Sequence, residues 1–266
     1  MRVLVTGTSP GIGGATCRRL ARQARAAGGS LSIAACEIRD TPEQQALVRE
    51  LEAEGAEVLS LTGDLADPEV PARLVEAAAR VFGGLDVLVA NAGITAPAPL
   101  SELALADWER VMNVNLRATW LLAKAAYPHL KAAGGGAFVA VASMSGMKPH
   151  PGMGAYSPSK AGVIILCQTL AQEWAADRIR VNAISPGMIR TPLSAAVYAD
   201  NRTAEARANL VPLGRVGEAE DVADVIAFLL GPEARYLTGQ NLCVDGGFAD
   251  SILSHLPGLP RSGATR

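Results

Sequence analysis

The chain alternates short, almost wholly apolar runs with longer segments whose apolar positions recur every three or four residues. The run RVLVT (2–6) is closed by glycine, and GGATCRRLARQARAA (13–27) follows with Ala15, Leu20 and Ala24 turned inward. A second run, SLSIAAC (30–36), precedes TPEQQALVRELEAEG. There Thr41 suits an N-cap, Pro42 the first helical position, Gln44 the reciprocal capping partner and Gly55 the exit. Leu47 and Leu51, four apart, supply the buried stripe of that helix. The beat repeats with EVLSL (57–61), an Asp67–Pro68 helix start and a Gly83–Gly84 stop, then with DVLVA (86–90). Further helices are predicted over 107–130, 155–176 and 218–230, and further strands over 137–142, 180–184 and 241–244. Strands this uniformly apolar fit a mostly parallel sheet covered by helices on both faces. The pattern therefore predicts a single-domain, doubly wound α/β fold over residues 1–250, with 251–266 as a C-terminal tail.

Composition narrows the function classes. A length of 266 residues suffices for one well-buried core. Net charge is -2 and the basic residues are scattered, so neither nucleic acid nor an anionic membrane surface is expected as a partner. The opening MRVLVTG runs straight into a strand pattern, which leaves the cytoplasm as the expected location. Apolar stretches such as AGVIILC are too short to span a bilayer. Cys17, Cys36, Cys167 and Cys243 lie far apart and do not cluster with His129, His150 or His255. Buried free thiols are expected, and neither a disulfide framework nor a metal site is supported.

The chemistry begins at TGTSPGIGG (6–14), between the first strand and the first helix. Gly7, Gly11 and Gly13 permit a tight turn and close approach of a ligand, with Ser9 and Ile12 in the same turn. The helix amides behind them offer donors to a pyrophosphate. A dinucleotide also needs a side chain beyond the second strand to meet its adenosine ribose. Cys36, Glu37 and Arg39 compete for that place. A carboxylate accepts bonds from both ribose hydroxyls and repels a 2'-phosphate, whereas arginine favours one. Glu37 tilts the choice to NAD, Arg39 keeps NADP open, and Ser9 and Pro10 bring no positive charge. Asp64, followed by Leu65, is placed to bond the adenine amino group.

These motifs, taken with NAG (91–93), Asn115-Leu116, Ser143 thirteen residues before Tyr156, Tyr156-x-x-x-Lys160, PGMIRT (186–191) and TGQNLCVDGG (238–247), resemble the short-chain dehydrogenase/reductase family. The likeness spans almost the whole chain and is strongest to classical members such as the 3-oxoacyl-carrier-protein reductases. It implies a Rossmann fold and hydride transfer between a nicotinamide cofactor and a carbonyl or secondary alcohol. It also implies roles residue by residue. Asn91, Ala92 and Gly93 would support the sheet and line the adenosine side. Asn115 would hold a helix main chain and a relay water, Ser143 would bind the substrate oxygen, and Tyr156 would be the acid/base. Lys160 would bind the nicotinamide ribose and polarise the phenol, while Pro186, Gly187, Ile189 and Thr191 would border the carboxamide.

Departures from the family pattern are visible too. The stretch before Asp64 is about ten residues longer than in a compact member, through RQARAAGG and the connection after the second strand, which blurs the alignment of 36–39. Residues 147–153, 95–101, Met188 and a flap at about 193–210 are expected to wall the substrate. A protein that keeps fold and cofactor but performs no chemistry is the alternative. The apolar stretches at 107–130 and 155–176, and the family's habit of pairing, lead to an expected homotetramer.

Overall fold

The computed structural model describes residues 1–255. Its main sheet has seven strands: β1 (Arg2–Thr6), β2 (Ser32–Glu37), β3 (Glu57–Thr62), β4 (Val87–Ala90), β5 (Gly136–Val141), β6 (Ile179–Pro186) and β9 (Asn241–Val244). They lie in the order β3-β2-β1-β4-β5-β6-β9, every neighbouring pair parallel. The winding direction reverses between β1 and β4, where a doubly wound sheet opens a crevice at its strand ends. A two-stranded pair, β7 (Ile189–Arg190) with β8 (Gly217–Glu218), lies outside the main sheet.

The strand period of two sorts the core into two faces. Val3 and Val5 of β1 join Cys17 and Leu20 of α1 (Ile12–Ala26), Leu47 and Leu51 of α2 (Pro42–Ala53), and Val222 and Ile226 of α9 (Ala219–Leu230). Leu4 turns the other way. It packs with Leu74 and Ala78 of α3 (Val70–Phe82), Leu122 and Ala126 of α5 (Ala118–Ala132), and Val163 and Cys167 of α6 (Tyr156–Trp174). Helices on both faces leave the central strands β1, β4 and β5 buried and almost wholly apolar, which is why the sequence shows runs there and not alternation.

Several local expectations need correction. The Asp67–Pro68 start is a turn in which Asp67 accepts the Glu69 amide at 2.9 Å, and α3 begins only at Val70. The single helix over 107–130 is α4 (Leu105–Met112), a π-helical turn (Asn113–Arg117) and α5. Thr41 does cap α2, accepting the Gln44 amide at 3.2 Å, but Gln44 does not reciprocate; its side chain is wholly buried elsewhere. The flap contains α7 (Ala195–Tyr198) and α8 (Asn201–Leu210), the latter capped by Asp200. Three cysteines are buried and free, whereas Cys243 is exposed. Ile252 and Leu253 of the tail are exposed, and Leu256 with the rest of the tail lies outside the described residues. No helix among the described residues is long and apolar enough to cross a membrane.

Candidate active site

The glycine turn sits against the end of β4, held by side chains rather than by its own backbone. Thr6 Oγ1 accepts the amides of Asn91 and Ala92 at 3.1 and 3.2 Å, and Asn91 Nδ2 donates to the Thr6 and Gly7 carbonyls at 3.0 and 2.8 Å. Gly7 has φ 69°, and its amide bonds the Cys36 carbonyl at 2.8 Å. Gly13 makes room for this knot: a Cβ there would stand 2.1 Å from the Gly7 oxygen and 2.6 Å from Asn91 Nδ2. Gly11, the N-cap of α1, contributes no side chain to the first-turn amides, so these donors remain for an anion. A turn with this freedom, beside the crevice, fits the pyrophosphate of a dinucleotide.

A cleft of about 920 Å³ runs from this turn across the sheet ends to the flap. Gly7, Ser9, Gly11, Ile12, Glu37, Asp64, Leu65, Asn91, Ala92 and Gly93 border it. Ser143, Tyr156, Lys160, Pro186, Gly187, Ile189 and Thr191 border it as well, with Thr191 close to Gly11 and Lys160 close to Gly93. Gly13 and Asn115 stand behind the wall, and Arg39 does not line the cleft. Cys36 and Glu37 both reach its edge, but the Cys36 thiol packs into the core while the Glu37 carboxylate spans the turn. Glu37 accepts the Ser9 amide at 2.9 Å and the Ile38 amide at 2.8 Å. Asp64 accepts the Ala66 amide at 2.9 Å and faces Arg110 at 3.3 Å.

Three polar side chains meet on the cleft wall. Ser143 lies two residues beyond β5 and accepts the Ser145 amide at 3.1 Å. Tyr156 and Lys160 project from the first turns of α6, where Pro158, the third helical residue, lacks an amide that would be unpaired anyway. Burial pushes the Tyr156 phenol up, and a side-chain bond with Ser143 pulls it back. The Lys160 ammonium is buried, which brings it down to about 8, and it donates to the Val141 carbonyl at 2.7 Å. It lies 5.8 Å from the centre of the Tyr156 ring, so in this arrangement Ser143 is the group that offsets the burial of the phenol. Gly93 lets Lys160 pass, since a Cβ there would stand 3.2 Å from Nζ. Asn115, in the π-helical turn, accepts the Ile94 amide at 2.9 Å and donates to the Ile94 carbonyl and to Ser159 Oγ, both at 3.0 Å.

A family model described as Enoyl-(Acyl carrier protein) reductase matches residues 7–249. The chain belongs to the short-chain dehydrogenase/reductase family. Among short-chain dehydrogenases/reductases, it is 42% identical over 247 residues to a cis-4-hydroxycyclohexanecarboxylate dehydrogenase from Sinomonas cyclohexanicum, covering 92% of this chain and 95% of the relative. It is 37% identical over 246 residues to a 3beta-hydroxysteroid dehydrogenase from Eggerthella lenta, covering 92% of each. A short chain dehydrogenase from Burkholderia cenocepacia in complex with NADP superposes with a TM-score of 0.83 at 37% identity, over 94% of this chain and 97% of the other. The protein is accordingly an oxidoreductase that works with a nicotinamide cofactor, on the Rossmann fold of its relatives.

Some polar positions of this short-chain dehydrogenase/reductase were not foreseen. Gln44 donates to the Ala35 carbonyl at 3.1 Å and accepts the Thr8 hydroxyl at 2.8 Å, tying α2 to the glycine turn. Its place three residues after a helix cap gave the opposite signal, that of an exposed capping residue. Arg110 beside Asp64 and the pairing of Ser145 with His150 Nδ1 at 2.9 Å carry no local signature at all.

Proposed function

We propose that the protein interconverts a ring-borne secondary alcohol and its ketone, with NAD as the preferred cofactor. The observation that carries this reading is the meeting of Ser143, Tyr156 and Lys160 on a cleft that begins at the glycine turn. Tyr156 gives or takes the proton at the reacting oxygen, Ser143 holds that oxygen beside the phenol, and Lys160 binds the nicotinamide ribose. Asn115 braces the Ile94 backbone and Ser159 behind them. When bound, the nicotinamide supplies or accepts the hydride. Gly7 to Gly13 and Asn91 to Gly93 hold the phosphates and adenosine side, with Asp64 and Leu65 at the adenine. Pro186, Gly187, Ile189 and Thr191 border the carboxamide. Residues 1–250 carry this whole machinery, and the flap at 193–210 covers the substrate. A ring substrate is supported by the names of the two relatives and by apolar Met153, Met188, Val197 and Phe248 in the cleft. No observation favours a protein without chemistry.

Glu37 supports NAD, because a carboxylate bonded across the turn repels a 2'-phosphate. Arg39, the counterweight in the sequence, does not line the cleft. With a panel of ring ketones, kcat/KM for NADH is expected to exceed that for NADPH by roughly tenfold, and Glu37→Gln to narrow the gap. A preference of the unaltered protein for NADPH overturns the cofactor assignment; failure on every ketone overturns the substrate class.

A homotetramer is the proposed assembly. Trp120 of α5, Ile165 of α6, Phe228 of α9 and Tyr236 leave large apolar side chains exposed on these three helices and after the last of them. Light scattering at micromolar concentration is expected to give about four times the 27.5 kDa chain mass. A monomeric mass refutes it.

A further inference from the structure

Of the cations that line the cleft, Arg207 has neither a catalytic role nor an anionic partner among the described residues. Arg207, on α8 of the flap, lines the cleft half-buried. Among the described residues it has no ion pair and no hydrogen bond; its guanidinium rests 5.7 Å over the ring of Tyr198. Arg190 lies 5.1 Å over the same ring, but it has Glu218 at 3.4 Å. The cleft's own carboxylates are already taken: Glu37 by the Ser9 and Ile38 amides, Asp64 by the Ala66 amide and Arg110. The other cationic candidates of the substrate walls are engaged as well, Lys148 facing Asp250 at 3.7 Å and His150 bonded to Ser145.

An arginine stays charged at any accessible pH, and a ring face under it is a mild partner that leaves the charge uncompensated. Half-buried in a wall it shares with apolar Leu210 and Val197, this arginine has no anion beside it among the described residues. Its planar fork matches a carboxylate, and two parallel charge-assisted bonds form when one arrives. We propose that Arg207 is a specificity residue that binds a carboxylate carried by the substrate. The inference rests on the reading of the cleft as the site of an alcohol or ketone, and it selects anionic members of that class over neutral ones.

Binding can test it apart from turnover. Calorimetry on the full chain loaded with NAD would compare cyclohexanecarboxylate with cyclohexanecarboxamide, which have nearly the same shape but differ in charge. The acid is expected to bind at least ~10-fold more tightly, and Arg207→Gln to abolish that difference while Arg207→Lys keeps part of it. Equal binding of acid and amide by the unaltered protein overturns the proposal, as does a preference that survives in Arg207→Gln. The phosphates of the cofactor are the other possible anion, so NAD affinity is measured in the same variants. A loss there, in place of the lost preference for acid, assigns Arg207 to the cofactor and overturns the proposal. If no ring ketone is turned over, the substrate class of the preceding section fails while the charge preference is still decided by these binding data.

Discussion

Tyr156→Phe is expected to lower turnover by ~10²-fold or more, the scale of general acid–base catalysis, while leaving the fold and nucleotide binding in place. Only the hydroxyl is removed, and the ring keeps its packing at the start of α6. The pH dependence separates this from a packing effect. Burial raises the phenol, so at neutral pH it is a neutral donor, suited to protonating a ketone oxygen. Oxidation of the alcohol needs the deprotonated form, so its rate should climb with pH into the alkaline range while reduction is retained at neutral pH. Ser143 supplies the opposing pull on the phenol, so Ser143→Ala should move the climb to higher pH. Steady-state rates in both directions across pH, for the parent and both variants, check this. Turnover of the Phe variant indistinguishable from the parent's rules out Tyr156 as the acid/base, and an unmoved profile in Ser143→Ala rules out the tuning.

Gly13→Ala is the second large effect. The added methyl would meet the Gly7 carbonyl at 2.1 Å and Asn91 Nδ2 at 2.6 Å, both held by the bonds that knot the turn to β4. Neither neighbour is the free end of a flexible side chain. A destabilisation of about 3 kcal/mol, the upper end of overpacking costs, is expected. Nucleotide affinity should fall with it, because the turn must move to relieve the contact. Gly29→Ala is the control, since its nearest atom beyond neighbours is 3.8 Å away at an ordinary backbone conformation. Denaturant unfolding and NAD titration of both variants measure the effect. Equal stability and affinity in Gly13→Ala and Gly29→Ala would show that the turn yields at no cost.

Both predictions concern positions already conspicuous in the sequence, and the reason is local. Whether a segment is a strand or a helix depends on side chains two, three or four residues apart. The runs RVLVT and DVLVA, the Thr41-Pro42 helix start and the Gly83 stop therefore appear in the structure within a residue or two of their expected places. Where a local signal was ambiguous, the element shifted: Asp67 makes a turn bond instead of a helix cap, and nothing in NVNLR distinguishes a π-helical turn from the helix on either side. The glycine turn and the tyrosine and lysine one turn apart were legible for the same reason. Each is a short motif whose geometry follows from the element that carries it.

Contacts between distant segments were not legible. The Thr8–Gln44 bond joins residues 36 apart, the Asn115–Ser159 bond residues 44 apart, and the Lys160–Val141 bond residues 19 apart. None has a signature within either segment, because each exists only once the sheet order has brought the segments together. The same holds for the choice between Cys36 and Glu37: they are adjacent in the chain, and only the pleat of β2 sends one side chain into the core and lets the other bond the Ser9 amide. Sequence by itself thus determined most of the elements and the candidate chemistry, since these depend on near neighbours, and its uniformly apolar runs pointed to a parallel sheet. Tertiary structure alone decided which polar groups satisfy one another and that Arg207 lines the cleft with no anion among the described residues, since burial and pairing are properties of packed surfaces.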